Sequence, residues 1–245
     1  MANIAKTDIP DNPENDPQSA HSNYNSSEKQ VISRKRVVDH GEVFTAQREV
    51  TAMLDLVLDE TNRIDSRFLE PACGTGNFLI EILRRKLAVV ESRYGKSKYD
   101  YEKYAILAVS SMYGIDILLD SLEFCRNRLF SYFKLQFEIL FGTQAEDDIL
   151  KSVQYLLQKN IVQGDALTMK LVGSDDGICF VEWSLVGEQL KGLVFRYSDI
   201  QQDIREDDIL FTHSVHTSDN GDSVYITKPI SEYPLTSFRR LYELG

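Results

Sequence analysis

Between Pro71 and Pro229 the 245-residue chain has no proline, and nowhere does one proline follow another. Any site built on a Pro-Pro loop is therefore excluded. Cysteine is scarce: Cys73, Cys125 and Cys179 are an odd number, far apart and without metal-ligand spacing. That excludes a disulfide framework and fits a reducing, cytoplasmic setting. No apolar run approaches the ~18 residues of a membrane span. That run length leaves no membrane role to expect, and an N-terminus without the apolar centre of a signal peptide gives no sign of secretion. Basic residues are outnumbered, 27 to 38, leaving a net charge of −11. A self-sufficient nucleic-acid binder usually shows a basic surface. The balance argues against one unless charge is segregated or a partner supplies the contacts. The clusters Arg34–Lys35–Arg36, Arg84–Arg85–Lys86 and Arg239–Arg240 read as solvated surface. His40, His213 and His216 do not make a metal site, and no metal is expected.

What is present is an alternation of helices and short strands. Residues 1–30 are rich in Asn, Asp, Ser, Glu and Pro and are read as a disordered N-terminal arm. A folded domain is expected over 31–185. In 46–60, Val50, Met53, Leu54, Val57 and Leu58 share one helical face. Further helices are predicted over 77–92, 99–111, the stretch carrying Leu122, Cys125 and Leu129, and 146–158. Strands are predicted at FLE (68–70), YGIDIL (113–118), NIVQGDAL (160–167) and ICFVEW (178–183). Strands separated by helices predict an α/β fold with a mostly parallel sheet and helices on both faces. Beyond 185, GLVFRY, DILFTH and SVYITK read as short strands of a C-terminal extension, 186–245, that offers a docking surface. The abundant Tyr and Phe, 12 of each, fall mostly at helical spacing and are assigned to the core.

The run FLEPACGTGNFL, 68–79, carries the chemistry. Glu70 ends a strand, Gly74 and Gly76 allow left-handed backbone and close approach of a ligand, and Asn77 is placed to cap the next helix. Asp116 ends the second strand and Asp165 follows the third. In an open parallel sheet, ligands bind outside the carboxyl ends of the strands. An acid after strand two can accept both ribose hydroxyls, and one after strand three can accept an adenine amino proton. Glu70 can orient a cationic amino group. Leu79 stands where a dinucleotide fingerprint needs its third glycine, which favours a cofactor without phosphates.

These motifs resemble those of the S-adenosylmethionine-dependent DNA adenine-N6 methyltransferases of restriction–modification systems. LEPACGTGNFL is similar to the family's glycine loop, YGIDIL to its ribose-binding strand end and NIVQGDAL to its adenine-contacting one. HGEVFTAQREVTAMLDLV, 40–57, resembles its first cofactor motif, with Ala46 in place of a proline. The resemblance spans about 34–170. It implies a Rossmann-like class I methyltransferase fold and S-adenosylmethionine as cofactor. By resemblance, Phe44 and Thr45 line the methionine end. Glu70, Ala72, Gly74 and Gly76 surround the amino-acid part. Asp116 holds the ribose and Asp165 the adenine amino group, with Ala166 and Leu167 beside it. The 39 residues between Gly76 and Asp116 exceed a single crossover, so 95–111 reads as an inserted helix.

The family's Asp/Asn-Pro-Pro-Tyr/Phe motif, which follows strand four and holds a flipped-out base, is missing. In its place the strand exit reads Glu182-Trp183-Ser184-Leu185. Glu182 as proton acceptor and Trp183 as stacking ring are the catalytic candidates. Three functions are weighed: methylation of the adenine amino group in DNA, with DNA and a recognition subunit as partners; a catalytically incomplete cofactor-binding subunit that needs a partner chain; and methylation of a small molecule or protein.

Overall fold

A computed structural model describes residues 45–143, 145–202, 214–217, 223–226 and 228–245. The expected arm over 1–30, the Arg34–Lys35–Arg36 cluster, His40, Phe44, the DILFTH stretch and His213 lie outside the described residues.

The segment 46–60 forms two helices, α1 (Gln47–Asp55) and α2 (Leu58–Thr61). The single helix expected there breaks at Val57, whose φ of −119° and ψ of 37° leave the helical region. Of its apolar stripe, Val50 and Leu54 are buried, whereas Met53, Val57 and Leu58 are exposed. Then follow β1 (Phe68–Glu70), α3 (Asn77–Tyr94), α4 (Lys98–Ser110), β2 (Met112–Asp116), α5 (Leu119–Phe141), α6 (Asp147–Asn160), β3 (Ile161–Asp165) and β4 (Lys170–Leu171). Ser97 caps α4 by accepting the Asp100 amide at 3.2 Å. Gly142, at φ 64°, ends α5.

Strands β1, β2 and β3 lie side by side and parallel, with Leu69 opposite Tyr113 and Ile115 opposite Val162. β4 joins β3 antiparallel, so the sheet is mixed. Central β2 is covered on both faces, which explains its unbroken apolar run. Met112 joins the helical core with Leu79, Leu83, Ile106 and Phe133. Tyr113 and Ile115 point the other way, into a smaller core with Ile178, Phe180 and Tyr197.

This second face carries a strand as well as the short helix that holds Tyr197 and Ile200, where the sequence predicts helices. ICFVEW does not extend the parallel sheet. It is part of β5 (Cys179–Val186), which pairs antiparallel with β6 (Gln189–Arg196) in a separate sheet. β5 crosses the parallel strands in the opposite direction. Near its start, the Ile178 side chain packs over Gly164 at the end of β3. Midway, the Tyr113 hydroxyl donates to the Val181 carbonyl at 3.1 Å. Further on, Glu182 pairs with Arg67, just ahead of β1.

After β6 come α7 (Tyr197–Gln202), the hairpin of β7 (Ser214–Thr217) and β8 (Ser223–Ile226), and β9 (Ser231–Ser237). β9 pairs with β6 antiparallel, and the register slips between Leu190 and Gly192. Pro234 falls in that slip on an edge strand, where a missing N–H is tolerated. The expected boundary between 185 and 186 cuts the β5–β6 hairpin. Residues beyond it pack into the same compact unit as the parallel sheet. A 3₁₀ helix (Phe238–Leu244) closes the chain on α6, burying Phe238 and Leu241. The Leu241 amide donates to the Ser152 hydroxyl at 3.1 Å.

Two basic clusters expected at the surface are partly interior. Lys86 is fully buried. Its ammonium donates to the Ile64 carbonyl at 2.9 Å, the Ser111 hydroxyl at 2.6 Å and the Ser66 carbonyl. Arg239 reaches the buried Glu102 and also Glu146, tying the C-terminus to α4 and the start of α6. No helix among the described residues is long and apolar enough to cross a membrane.

Candidate functional site

The turn after β1 is held from two directions. The Cys73 amide donates to the Ile115 carbonyl at 2.9 Å, which joins the turn to β2. The Gly76 amide returns to the Cys73 carbonyl at 2.8 Å. Gly74 and Gly76 have φ values of 49° and 84°, so both sit in left-handed backbone where side chains are strained. Gly76, not Asn77, occupies the cap position of α3, and Asn77 is the first helical residue. A Cβ on Gly76 would stand 2.5 Å from the Cys125 Sγ of α5.

That contact yields a prediction. Gly76→Ala adds backbone strain and overpacking, together roughly 2–4 kcal/mol of lost stability by urea denaturation. In a Cys125→Ala background the same change costs about 1 kcal/mol less, because the sulfur is gone. Strict additivity of the two changes would contradict the contact.

Asp116 does two things at once. Its Oδ2 accepts the Gly74 amide at 2.8 Å, and its Oδ1 accepts the Leu118 amide at 2.8 Å. The carboxylate therefore stiffens the glycine turn and the exit of β2 together. A carboxylate has about four lone-pair sites, so each oxygen retains capacity for a hydroxyl. Glu70 is half-buried at the end of β1, and burial pushes its carboxyl up from the ordinary range. Its Oε1 lies 3.4 Å from the Ala72 amide, a long contact. Ala72 itself is exposed at the turn. At the exit of β3, Asp165 Oδ1 accepts the Leu167 amide at 2.8 Å. That N–H holds its carboxyl below the ordinary range. Ala166 packs on the smaller core.

Two apolar side chains stand open on this rim. Leu167 is 93% exposed and Ile117, next to Asp116, is 53% exposed. Gln163 donates to the Ile117 carbonyl at 3.0 Å and so links the exits of β3 and β2. Ile117 was not legible as a site residue, because an isoleucine after a strand reads as core.

The expected Thr45 segment also reaches this turn. The Asn77 side-chain amide donates to the Thr45 carbonyl at 3.0 Å. The Asn77 Oδ1 accepts from Arg128 of α5 at 2.7 Å, and the same Arg128 nitrogen lies 3.4 Å from the Thr75 carbonyl. Below the turn, Cys73 and Cys125 are buried and not disulfide-bonded. The adjoining Cys125 thiol and burial push Cys73 far above the ordinary thiol range, so it is an unreactive packing group.

The structure does not bring Glu182 and Trp183 to this rim. Glu182 is bound to Arg67, at the amino-terminal edge of β1, whereas Glu70, Asp116 and Asp165 stand at the carboxyl edge. Trp183 is 6% exposed, lies over Gly192 of β6 and stacks on Tyr233 of β9 with ring centroids 5.6 Å apart. Its ring joins the main hydrophobic core, which the second sheet shares with the helices. Among the described residues no group of His, Cys, Asp and Glu is arranged to hold a metal ion.

Comparison of the chain with protein-family models, with curated proteins and with solved structures gives no match. The class defined by fold and site is an α/β protein with a mixed sheet, whose glycine turn and three strand-end carboxylates share one edge.

Proposed function

We propose that the carboxyl edge of β1–β3 binds S-adenosylmethionine within a Rossmann-like methyltransferase fold, and that the protein serves methylation of the adenine amino group in DNA. The observation that carries the reading is the parallel order β1–β2–β3, with the glycine turn, Asp116 and Asp165 at successive strand exits. In such sheets ligands sit outside the carboxyl ends of the strands.

The residues present fit the cofactor. Gly74 and Gly76 leave bare backbone beside the turn. Glu70 offers a half-buried acceptor for a cationic amino group. Asp116 retains lone pairs for ribose hydroxyls while its amide bonds keep it in place. Asp165 stays ionised and so accepts an amino proton. Exposed Ile117 and Leu167 supply apolar faces for a purine, with Ala166 between the strands and the rim. The Thr45 carbonyl is tied to Asn77 beside the turn, which supports a role for its segment at the methionine end. When bound, S-adenosylmethionine would supply a methyl group activated by its sulfonium; transfer to an amino nitrogen would leave S-adenosylhomocysteine and release one proton from that nitrogen to solvent. The chain contributes positioning of the two reactants.

A second reading is favoured by a specific observation: the chain is a cofactor-binding subunit whose base-handling loop comes from a partner. Trp183 is buried against Tyr233, Glu182 is spent on Arg67, and no proline lies between Pro71 and Pro229. In β5, Trp183 presents no exposed ring on which a flipped base could stack.

The test is transfer of a labelled methyl group to unmethylated DNA by the pure chain, alone and with a partner carrying Asn-Pro-Pro-Tyr. Activity only with the partner is the expected outcome. Activity of the pure chain that survives Trp183→Ala would return the whole reaction to this chain and away from Trp183. No transfer to DNA in either arm, with transfer to a protein or small molecule instead, would contradict the DNA assignment.

A further inference from the structure

We propose that Arg128 is a positioning residue for the cofactor site. It fixes the orientation of the Asn77 amide, and Asn77 thereby clamps the Thr45 segment over the amino-acid end of the bound cofactor. This inference rests on the cofactor reading above.

The three parts come from distant places in the chain. Asn77 begins α3, directly after the glycine turn. Arg128 projects from the middle of α5, and Thr45 precedes α1. Asn77 touches both of the others, at 3.0 Å to the Thr45 carbonyl and 2.7 Å to Arg128.

The order of donors and acceptors is forced by chemistry. A guanidinium has five donors and no acceptor. The backbone carbonyl of Thr45 can only accept. A side-chain amide between them therefore has one satisfying orientation, with oxygen toward Arg128 and NH₂ toward Thr45. The flipped amide would set NH₂ against the guanidinium and oxygen against the carbonyl, losing both bonds. Arg128 thus acts on Thr45 through Asn77. The same arginine nitrogen reaches the Thr75 carbonyl at 3.4 Å, so α5 also steadies the crown of the glycine turn.

The location gives the clamp its meaning. Thr75 lies between the two left-handed glycines, and Thr45 is drawn down to the first turn of α3. Glu70, the acceptor for an amino group, stands at the start of that glycine turn. The ribose and adenine positions are set by Asp116 and Asp165, at the exits of other strands. The clamp therefore bears on the amino-acid end and leaves the nucleoside end alone.

Two variants separate this role from a merely structural one. Asn77→Asp keeps an acceptor for Arg128, with added charge, but has no donor for Thr45. An acid in the first turn of a helix is also favourable, so stability should hold. Arg128→Ala leaves the amide free to turn. The probes are S-adenosylhomocysteine, which has the amino-acid part, and 5′-methylthioadenosine, which lacks it, each titrated calorimetrically into the full chain. Both variants should lose about tenfold or more in affinity for S-adenosylhomocysteine and less than about twofold for methylthioadenosine. Asn77→Asp should melt no lower than the wild type.

Equal losses for both probes would reduce the clamp to general support and overturn the inference. So would wild-type affinity in either variant. If the unmodified chain binds neither probe, the cofactor reading falls first and takes this inference with it.

Discussion

Lys86→Met lowers the unfolding free energy by about 3 kcal/mol, because it leaves two buried carbonyls and a hydroxyl without their shared donor. The three acceptors come from Ile64 and Ser66, ahead of β1, and from Ser111, ahead of β2. One side-chain nitrogen from α3 thus pins the amino-terminal edges of two parallel strands. Phe68 packs beneath it, with the nitrogen 5.3 Å from the ring centroid. Burial pushes Lys86 down to about 7, against an ordinary lysine value of 10.5. The sign follows from proton counts. Between pH 7 and 10.5 the unfolded chain holds a proton that the folded chain releases, so this group makes stability rise with pH. The contribution is complete above 10.5 and is lost as pH falls through 7. Urea denaturation at several pH values from 7 to 10 measures both effects. The wild-type minus Lys86→Met difference should grow with pH. A Met variant as stable as the wild type, or a difference that is flat in pH, would contradict this account of Lys86.

Asp116→Ala should have two effects of similar size. The structure adds the first: the Gly74 and Leu118 amides lose charge-assisted partners, for roughly 2–4 kcal/mol of stability. The second is a loss of about 1–3 kcal/mol in cofactor affinity, from unpaired ribose hydroxyls. Asp116→Asn separates them. The amide oxygen can still accept one N–H, but its NH₂ faces the other, so part of the stability returns while ribose recognition stays impaired. Thermal melting and calorimetric titration on the same samples read the two effects. Unchanged affinity in Asp116→Ala, after allowance for the folded fraction, would reject the ribose assignment.

The glycine turn and the strand-end acids were legible because their signals are local. A glycine pair after a short apolar run demands a turn, and Asp116 and Asp165 each follow an apolar strand directly. The turn's cap was misassigned by one residue, since Gly76 and Asn77 both suit the position and only the φ of 84° decides. What was not legible depends on pairing across the fold. The alternation in ICFVEW says strand but names no partner. Its neighbour proved to be GLVFRY, nine or more residues on and antiparallel, rather than a strand of the parallel sheet. Trp183 was placed at a site by analogy with a missing motif. Gly192, which makes room for its ring, is the residue that marks it as core. The Arg84–Arg85–Lys86 run reads as surface by composition, yet helical phase turns Lys86 inward and buries most of Arg85 while Arg84 stays outside. β9 was missed because Pro234 and its polar neighbours look like loop, and only an edge position with a register slip accommodates them. Arg128 belongs to a long amphipathic helix. Nothing in its own neighbourhood announces a bond to a residue 51 positions earlier.

The central claim is that the carboxyl edge of β1–β3 holds S-adenosylmethionine. Calorimetric titration of S-adenosylmethionine and S-adenosylhomocysteine into the pure chain tests it without any partner or DNA. The account predicts one site per chain, with a dissociation constant in the micromolar range, about −8 kcal/mol, weakened by Asp116→Ala. No binding of either compound by a folded chain would contradict it, whatever the protein does with DNA.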